Sequence, residues 1–221
     1  MLSRESSSKV LRALFLLCAL AINFSAVAQN RPPAISGNYD NELMIGVDEK
    51  SGLLTGYFET GTGWDESTKS PRFVCAFFIY GKSQADAYQI TAWHPDGMEA
   101  TIKGRLKFLT VGGVAKAHIK LDELPGGCGM ANPSLAQDAG SELSLSIPAR
   151  WTSVRAVSAK SAFFHRAPNP RAKEKAYVVR GDAVRVFKVQ PGWVEAEFAT
   201  DTGKKVRGWL KESDLFDLNP K

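Results

Sequence analysis

From Tyr39 onward, apolar and polar residues alternate in short runs, and each run is closed by a turn-forming cluster. Tyr39, Asn41, Leu43, Ile45 and Val47 fall on one side of an extended chain, with Asp40, Glu42, Met44 and Gly46 on the other. That period of two is what a half-buried strand requires. Asp48 to Gly52 reads as a turn and Leu53–Thr60 as the returning strand. The same signal predicts strands over Phe73–Tyr80, Ala87–Trp93, Ala100–Thr110, Val114–Leu121 and Glu142–Ile147. An eighth, near Trp151–Val157, is placed either to close a barrel or to lead onward. No sustained helical period interrupts this series. Seven or eight strands at regular spacing predict an all-β fold, with residues 35–150 forming an antiparallel seven- or eight-stranded barrel or a sandwich.

The alternation continues more tightly beyond Trp151. Gly181-Asp182, Gly192-Trp193-Val194, Gly208-Trp209-Leu210 and Ser213-Asp214-Leu215 punctuate about sixty residues of short strands. Val194, Ala196 and Phe198 are expected inside, with Glu195 and Glu197 facing water; Leu210 and Val206 oppose Lys205, Arg207 and Trp209. On these residues the segment 151–218 closely resembles the bacterial SH3-like domain, a small-barrel binding module of cell-envelope proteins. The resemblance implies a cleft between loops walled by aromatics, to which Tyr177, Trp193 and Trp209 would contribute. Arg207 beside them would meet carboxylates of an extended ligand.

The first barrel bears a more limited likeness. Gly37-Asn38-Tyr39-Asp40-Asn41-Glu42-Leu43, then Ser51 to Thr60, and Ile90-Thr91-Ala92-Trp93 are similar to avidin-type barrels. On that likeness Asn41 falls on a biotin-contacting position, Phe58 stands where the family has tyrosine, and Ile45 replaces a serine. No tryptophan lies between Trp93 and Trp151 to wall a biotin pocket. The likeness implies a barrel shape, and these departures speak against biotin binding.

The N-terminus sets the compartment. Arg4, Lys9 and Arg12 precede the apolar run Ala13–Phe24, and Ala26-Val27-Ala28 offers a small-x-small cleavage site. Residues 1–28 therefore read as a secretory signal peptide, and no stable membrane span is expected after cleavage. Leu16 and Leu17 before Cys18 are too bulky for a lipidation site. The mature protein is expected in the periplasm. Its remaining cysteines, Cys75 and Cys128, would pair in that oxidising compartment, closing a separation of 53 residues. A zinc or redox pair is the alternative, but neither a CxxC spacing nor a nearby histidine supports it.

Charge is divided unevenly. Residues 29–150 hold 11 basic and 14 acidic residues, a balance of −3, whereas residues 151–221 hold 14 and 8, a balance of +6. The second part would favour anionic partners. Within the acidic first part, Lys103, Arg105 and Lys107 alternate on one strand and Lys116, His118 and Lys120 on the next. A hairpin would join the two rows on one outer face, either as an interaction patch or as a solvated surface that discourages edge pairing.

Motifs of catalysis are lacking: no HExxH, GxSxG or phosphate-cradling glycine loop occurs. These observations lead to an expectation of a non-enzymatic binding protein without cofactor. Its partner would be peptidoglycan or an envelope protein, not nucleic acid. The SH3-like resemblance implies, more concretely, an inhibitor or immunity-type partner of a cell-wall-acting enzyme, or a peptidoglycan-associated adaptor. A small-ligand carrier using the barrel interior is the alternative, and a cell-wall hydrolase the third.

Overall fold

A computed structural model describes residues 32–200 and 202–217. The expected signal peptide lies outside the described residues. The first predicted strand is in fact two, β1 (Gly37–Tyr39) and β2 (Leu43–Asp48). Asp40 and Asn41 take φ of 46° and 59°, left-handed conformations that Asp and Asn tolerate better than other side chains. The Glu42 N–H donates to the Tyr39 carbonyl at 3.0 Å, which closes the turn. Asn41 therefore sits exposed at a corner and not on an inward strand face.

The turn has an architectural result. β1 folds back to pair with β2 on one side and with β8 (Ser141–Pro148) on the other. Between them run β3 (Leu53–Asp65), β4 (Ser70–Gln84), β5 (Ala87–Trp93), β6 (Thr101–Val111) and β7 (Val114–Leu121). Every pair is antiparallel and each strand neighbours the next in sequence, with the β1–β8 pair closing the eight-stranded barrel. The closing strand comes from the start of this segment and not from Trp151–Val157. The latter stretch contains β9 (Ser153–Ala156), which opens a second sheet. That sheet adds β10 (Ser161–His165), β11 (Lys173–Val179), β12 (Ala183–Gln190), β13 (Trp193–Ala199) and β14 (Lys205–Lys211), in the order β11-β10-β14-β13-β12-β9.

Side chains fill the barrel. Tyr39, Leu43, Ile45, Leu54, Phe58 and Phe77 are fully buried in one cluster, and the Phe58 and Phe77 rings stack at 4.9 Å. Burying each such side chain contributes about 1.5–3 kcal/mol. The Tyr39 hydroxyl donates to the Ile35 carbonyl at 2.8 Å, and burial pushes its pKa up. Tyr57, by contrast, faces outward, 4.6 Å from Phe78.

Phe78 and Trp93 on the barrel's outer wall bury themselves with Trp151, Val154 and Ala156. This apolar seam replaces a linker. The Trp151 indole N–H donates to the Ile45 carbonyl at 2.7 Å, and the Val154 N–H donates to Thr55 Oγ1 at 2.7 Å. Gly46 lets the chains meet, since a Cβ there would run into the Ser153 backbone. The described residues thus form one compact unit. Among the described residues no helix is long and apolar enough to cross a membrane.

Candidate functional site

Two barrel strands are far longer than their neighbours, at 13 residues for β3 and 15 for β4. β2 stops pairing with β3 at Phe58, and β5 stops pairing with β4 at Phe78. From Thr60↔Cys75 to Asp65↔Ser70 the two strands pair with each other alone, as a ribbon that leaves the barrel. Strand readings ending at Thr60 and beginning at Phe73 missed this arm. Gly61, Gly63 and Pro71 resemble breakers in sequence, although a two-stranded ribbon with open edges accommodates them.

The tip is a pinned turn. The Asp65 carboxylate accepts from the Ser67 N–H at 2.9 Å and the Ser67 hydroxyl at 2.6 Å, and it pairs with Arg72 at 3.1 Å. These bonds, the Ser67 hydroxyl foremost, hold its pKa below the usual carboxylate range. The base is pinned covalently. Cys75 on β4 is disulfide-bonded to Cys128, the first residue of the one-turn helix α1 (Cys128–Ala131). Gly127, at φ 83°, lies so close to the Val74 carbonyl that a side chain would collide with it. Cys75 and Cys128 are fully buried, as an inert structural bridge should be.

Between tip and base the arm exposes what a soluble surface usually hides. Trp64 is 59% exposed, Phe73 and Val74 are each 42% exposed, and Met130 on α1 is 65% exposed. Trp64 stands opposite Pro71, and Thr62 opposite Phe73. Aromatic and methionine side chains are the types enriched where proteins meet.

Beneath the arm runs an open groove of ≈ 640 Å³. Met44 and Tyr57 of the barrel wall contribute to its lining, with Pro71 and Val74 from the arm and Arg185 and Phe198 from the second sheet. Its charged lining is mainly acidic: Glu42, which accepts from Thr60 at 3.0 Å, Glu59, which accepts from Tyr57 at 2.6 Å, and Asp182. Arg185 already pairs with Glu197 at 3.4 Å.

The residues singled out in sequence are placed as follows. The disulfide is present. The two basic rows do share a hairpin face, with Arg105 opposite Lys120 and Lys107 opposite His118. Acceptors from neighbouring segments cover them. Asp86 takes Arg105 and Lys107, Glu142 takes Lys116, and Asp138 takes Lys120. Lys103 donates to Thr91, and His118 lies 2.7 Å from the Ala139 carbonyl.

In the second sheet, Trp193 and Trp209 are half-buried and converge on His165. The Trp193 ring lies 4.8 Å from the imidazole, and Trp209 is its cross-strand partner. His165 is 4% exposed, and nothing in its sequence surroundings marked it. Arg207 pairs with Glu195 at 3.0 Å and stacks over Phe187 at 3.9 Å. Glu195 and Glu197, expected in water, have side chains only 28% and 14% exposed, because both are drawn onto arginines. Tyr177 is 56% exposed on β11, and its recorded ring neighbour is Phe163 at 5.5 Å, not a tryptophan.

No family model matches the chain, and neither a curated protein nor a solved structure matches it.

Proposed function

We propose that this protein is an exported, non-enzymatic binding protein of the cell envelope. It acts as an inhibitor or immunity-type partner of a cell-wall-acting enzyme. The observation that carries the reading is the disulfide-anchored arm, which holds Trp64, Phe73 and Val74 in water at a standing cost in solvation. A braced aromatic ribbon loses little conformational entropy on entering a cleft, so more of its contact energy appears as affinity. The second sheet, whose glycine–tryptophan pattern resembles the bacterial SH3-like domain, is assigned to attachment on peptidoglycan or an adjoining envelope protein. Carriage of a small ligand within the barrel is not favoured, because Tyr39, Phe58 and Phe77 occupy its interior.

The test is capture from periplasmic extract with the mature protein and with a Trp64→Ala/Phe73→Ala variant, followed by a murein-degradation assay of whatever is retained. The reading requires a cell-wall-acting enzyme that the parent protein retains and inhibits and that the arm variant does not. Equal retention and inhibition by both proteins would overturn the role of the arm. Capture of no such enzyme would overturn the inhibitor reading.

A further inference from the structure

The six-stranded sheet has two edges, β9 and β11, and they meet different fates. β9 is sealed against the barrel: Val154 donates to Thr55, and Ser153 nestles on Gly46. β11 pairs with β10 on one side, and no strand among the described residues pairs with the other. Lys173, Lys175, Tyr177 and Val179 along it are all exposed, with Val178 buried beneath. Asp182 closes the Val179 end, its carboxylate accepting from the Val179 N–H at 2.8 Å and its N–H donating to the Val179 carbonyl at 3.0 Å. The open edge from Lys173 to Tyr177 is therefore what offers backbone donors and acceptors to an extended chain.

Charge selects which chain. Arg166, Arg171, Lys173 and Lys175 lie within ten residues, against one acid, Glu174, which Arg166 pairs at 3.6 Å. Lys175 makes no ion pair among the described residues, and Lys173 sits 3.5 Å over the Phe163 ring, held by an aromatic face and not by a carboxylate. Arg166, Lys173 and Lys175, with Glu174 among them, line an open depression of ≈ 590 Å³ along this edge. The contrast with the first barrel's basic hairpin is instructive, because there Asp86, Asp138 and Glu142 neutralise the cations. Here most of the positive field is uncancelled, and Tyr177 stands beside it with an exposed ring.

From these features we infer that β11 is a docking edge for an extended anionic peptide, which adds as a further strand with its carboxylates toward Lys173 and Lys175. Backbone pairing supplies the register, the lysines supply the sign, and Tyr177 covers an apolar side chain at an alternate position. Bare lysines also keep a second copy of this same edge away by repulsion, so the surface accepts an acidic strand and rejects its own. The site is separate from the arm and stands or falls independently of it.

The probe is a fluorescent, end-blocked octapeptide alternating glutamate and valine, titrated into the full mature protein at low salt. Saturable binding is expected, with slowed amide exchange confined to β11. Lys173→Glu/Lys175→Glu should weaken it by about tenfold or more and admit the matching lysine–valine peptide instead. Tyr177→Ser, which leaves the charge intact, should weaken it less. A glutamate–valine peptide N-methylated at alternate residues should fail to bind, since it keeps the charge but loses one row of donors. Equal binding of the N-methylated peptide would overturn strand addition. Absence of binding by the parent peptide, or an unchanged affinity in the charge-reversed variant, would overturn the site.

Discussion

Trp151, two residues before the second sheet begins, spends its indole N–H on the barrel, donating to the Ile45 carbonyl at 2.7 Å. The bond is buried and joins residues 106 positions apart in sequence. Around it Phe78 and Trp93 stack at 4.8 Å and Phe187 approaches the Trp151 ring edge-on at 6.3 Å. The seam between the lobes is thus a small core in its own right.

A Trp151→Phe replacement keeps most of that apolar volume and deletes the donor. It should lower stability by about 1 kcal/mol, and Trp151→Ala should cost about 3–5 kcal/mol by leaving a cavity as well. Urea titration followed separately in each lobe provides the check. Both lobes should lose stability together, and a loss confined to one would mean that the seam does not couple them.

Loss of the Cys75–Cys128 bridge by double serine substitution should destabilise the protein by about 2–5 kcal/mol. Because the bridge stands at the foot of the arm, amide exchange should quicken most over residues 60–75. Thermal melts with and without reductant give the first number, and exchange mass spectrometry gives the second.

Trp64→Ala should leave the melting curve within about 0.5 kcal/mol of the parent, since the ring is 59% exposed. Phe58→Ala, five cross-strand pairs back toward the barrel and fully buried, should cost about 3–5 kcal/mol. If the two variants melted alike, Trp64 would have to be counted as part of the core.

Asp48, Asp65 and Asp86 all have pKa values held below the usual carboxylate range: Asp48 by the Ser51 hydroxyl, Asp65 by the Ser67 hydroxyl and Asp86 by Lys107. A carboxyl depressed in the folded state binds protons less readily there than in the unfolded chain. Its stabilising effect is therefore complete above the ordinary carboxylate pKa and fades as pH falls below about 4. Denaturant midpoints measured between pH 6 and pH 3 should fall with acidification, and Asp86→Asn should flatten part of that slope. A midpoint that rose on acidification would contradict the assignment.

Much of the barrel was legible because alternation is a direct record of which side chains are buried. Leu43, Ile45 and Val47 could be placed on one face from spacing alone and do lie in the core, and the two cysteines could be paired by compartment and count. The pattern failed where another term outweighed it. At Asp40-Asn41 two positive-φ residues bend a run that otherwise alternates like one strand. At Gly61–Arg72 a ribbon persists through residues of low strand preference, because the disulfide at its base and the Asp65 turn at its tip hold it at both ends. The tryptophan pair of the second sheet was visible, but its focus was not: a lone histidine carries no periodic signal, and only folding brings His165 to Trp193.

The Gly46–Ser153 contact has a consequence for selection. With a packed seam in place of a tether, the arm on one lobe and the β11 edge on the other keep a fixed offset, like the jaws of a caliper. If both surfaces bind as proposed, a partner presenting matching features at that span would be gripped twice, the second grip following the first as an intramolecular event. One carrying the same features at another span gets a single grip. Discrimination would then be written in a length as well as in side chains, and a change of one small residue at position 46 could alter which partners fit without touching either surface.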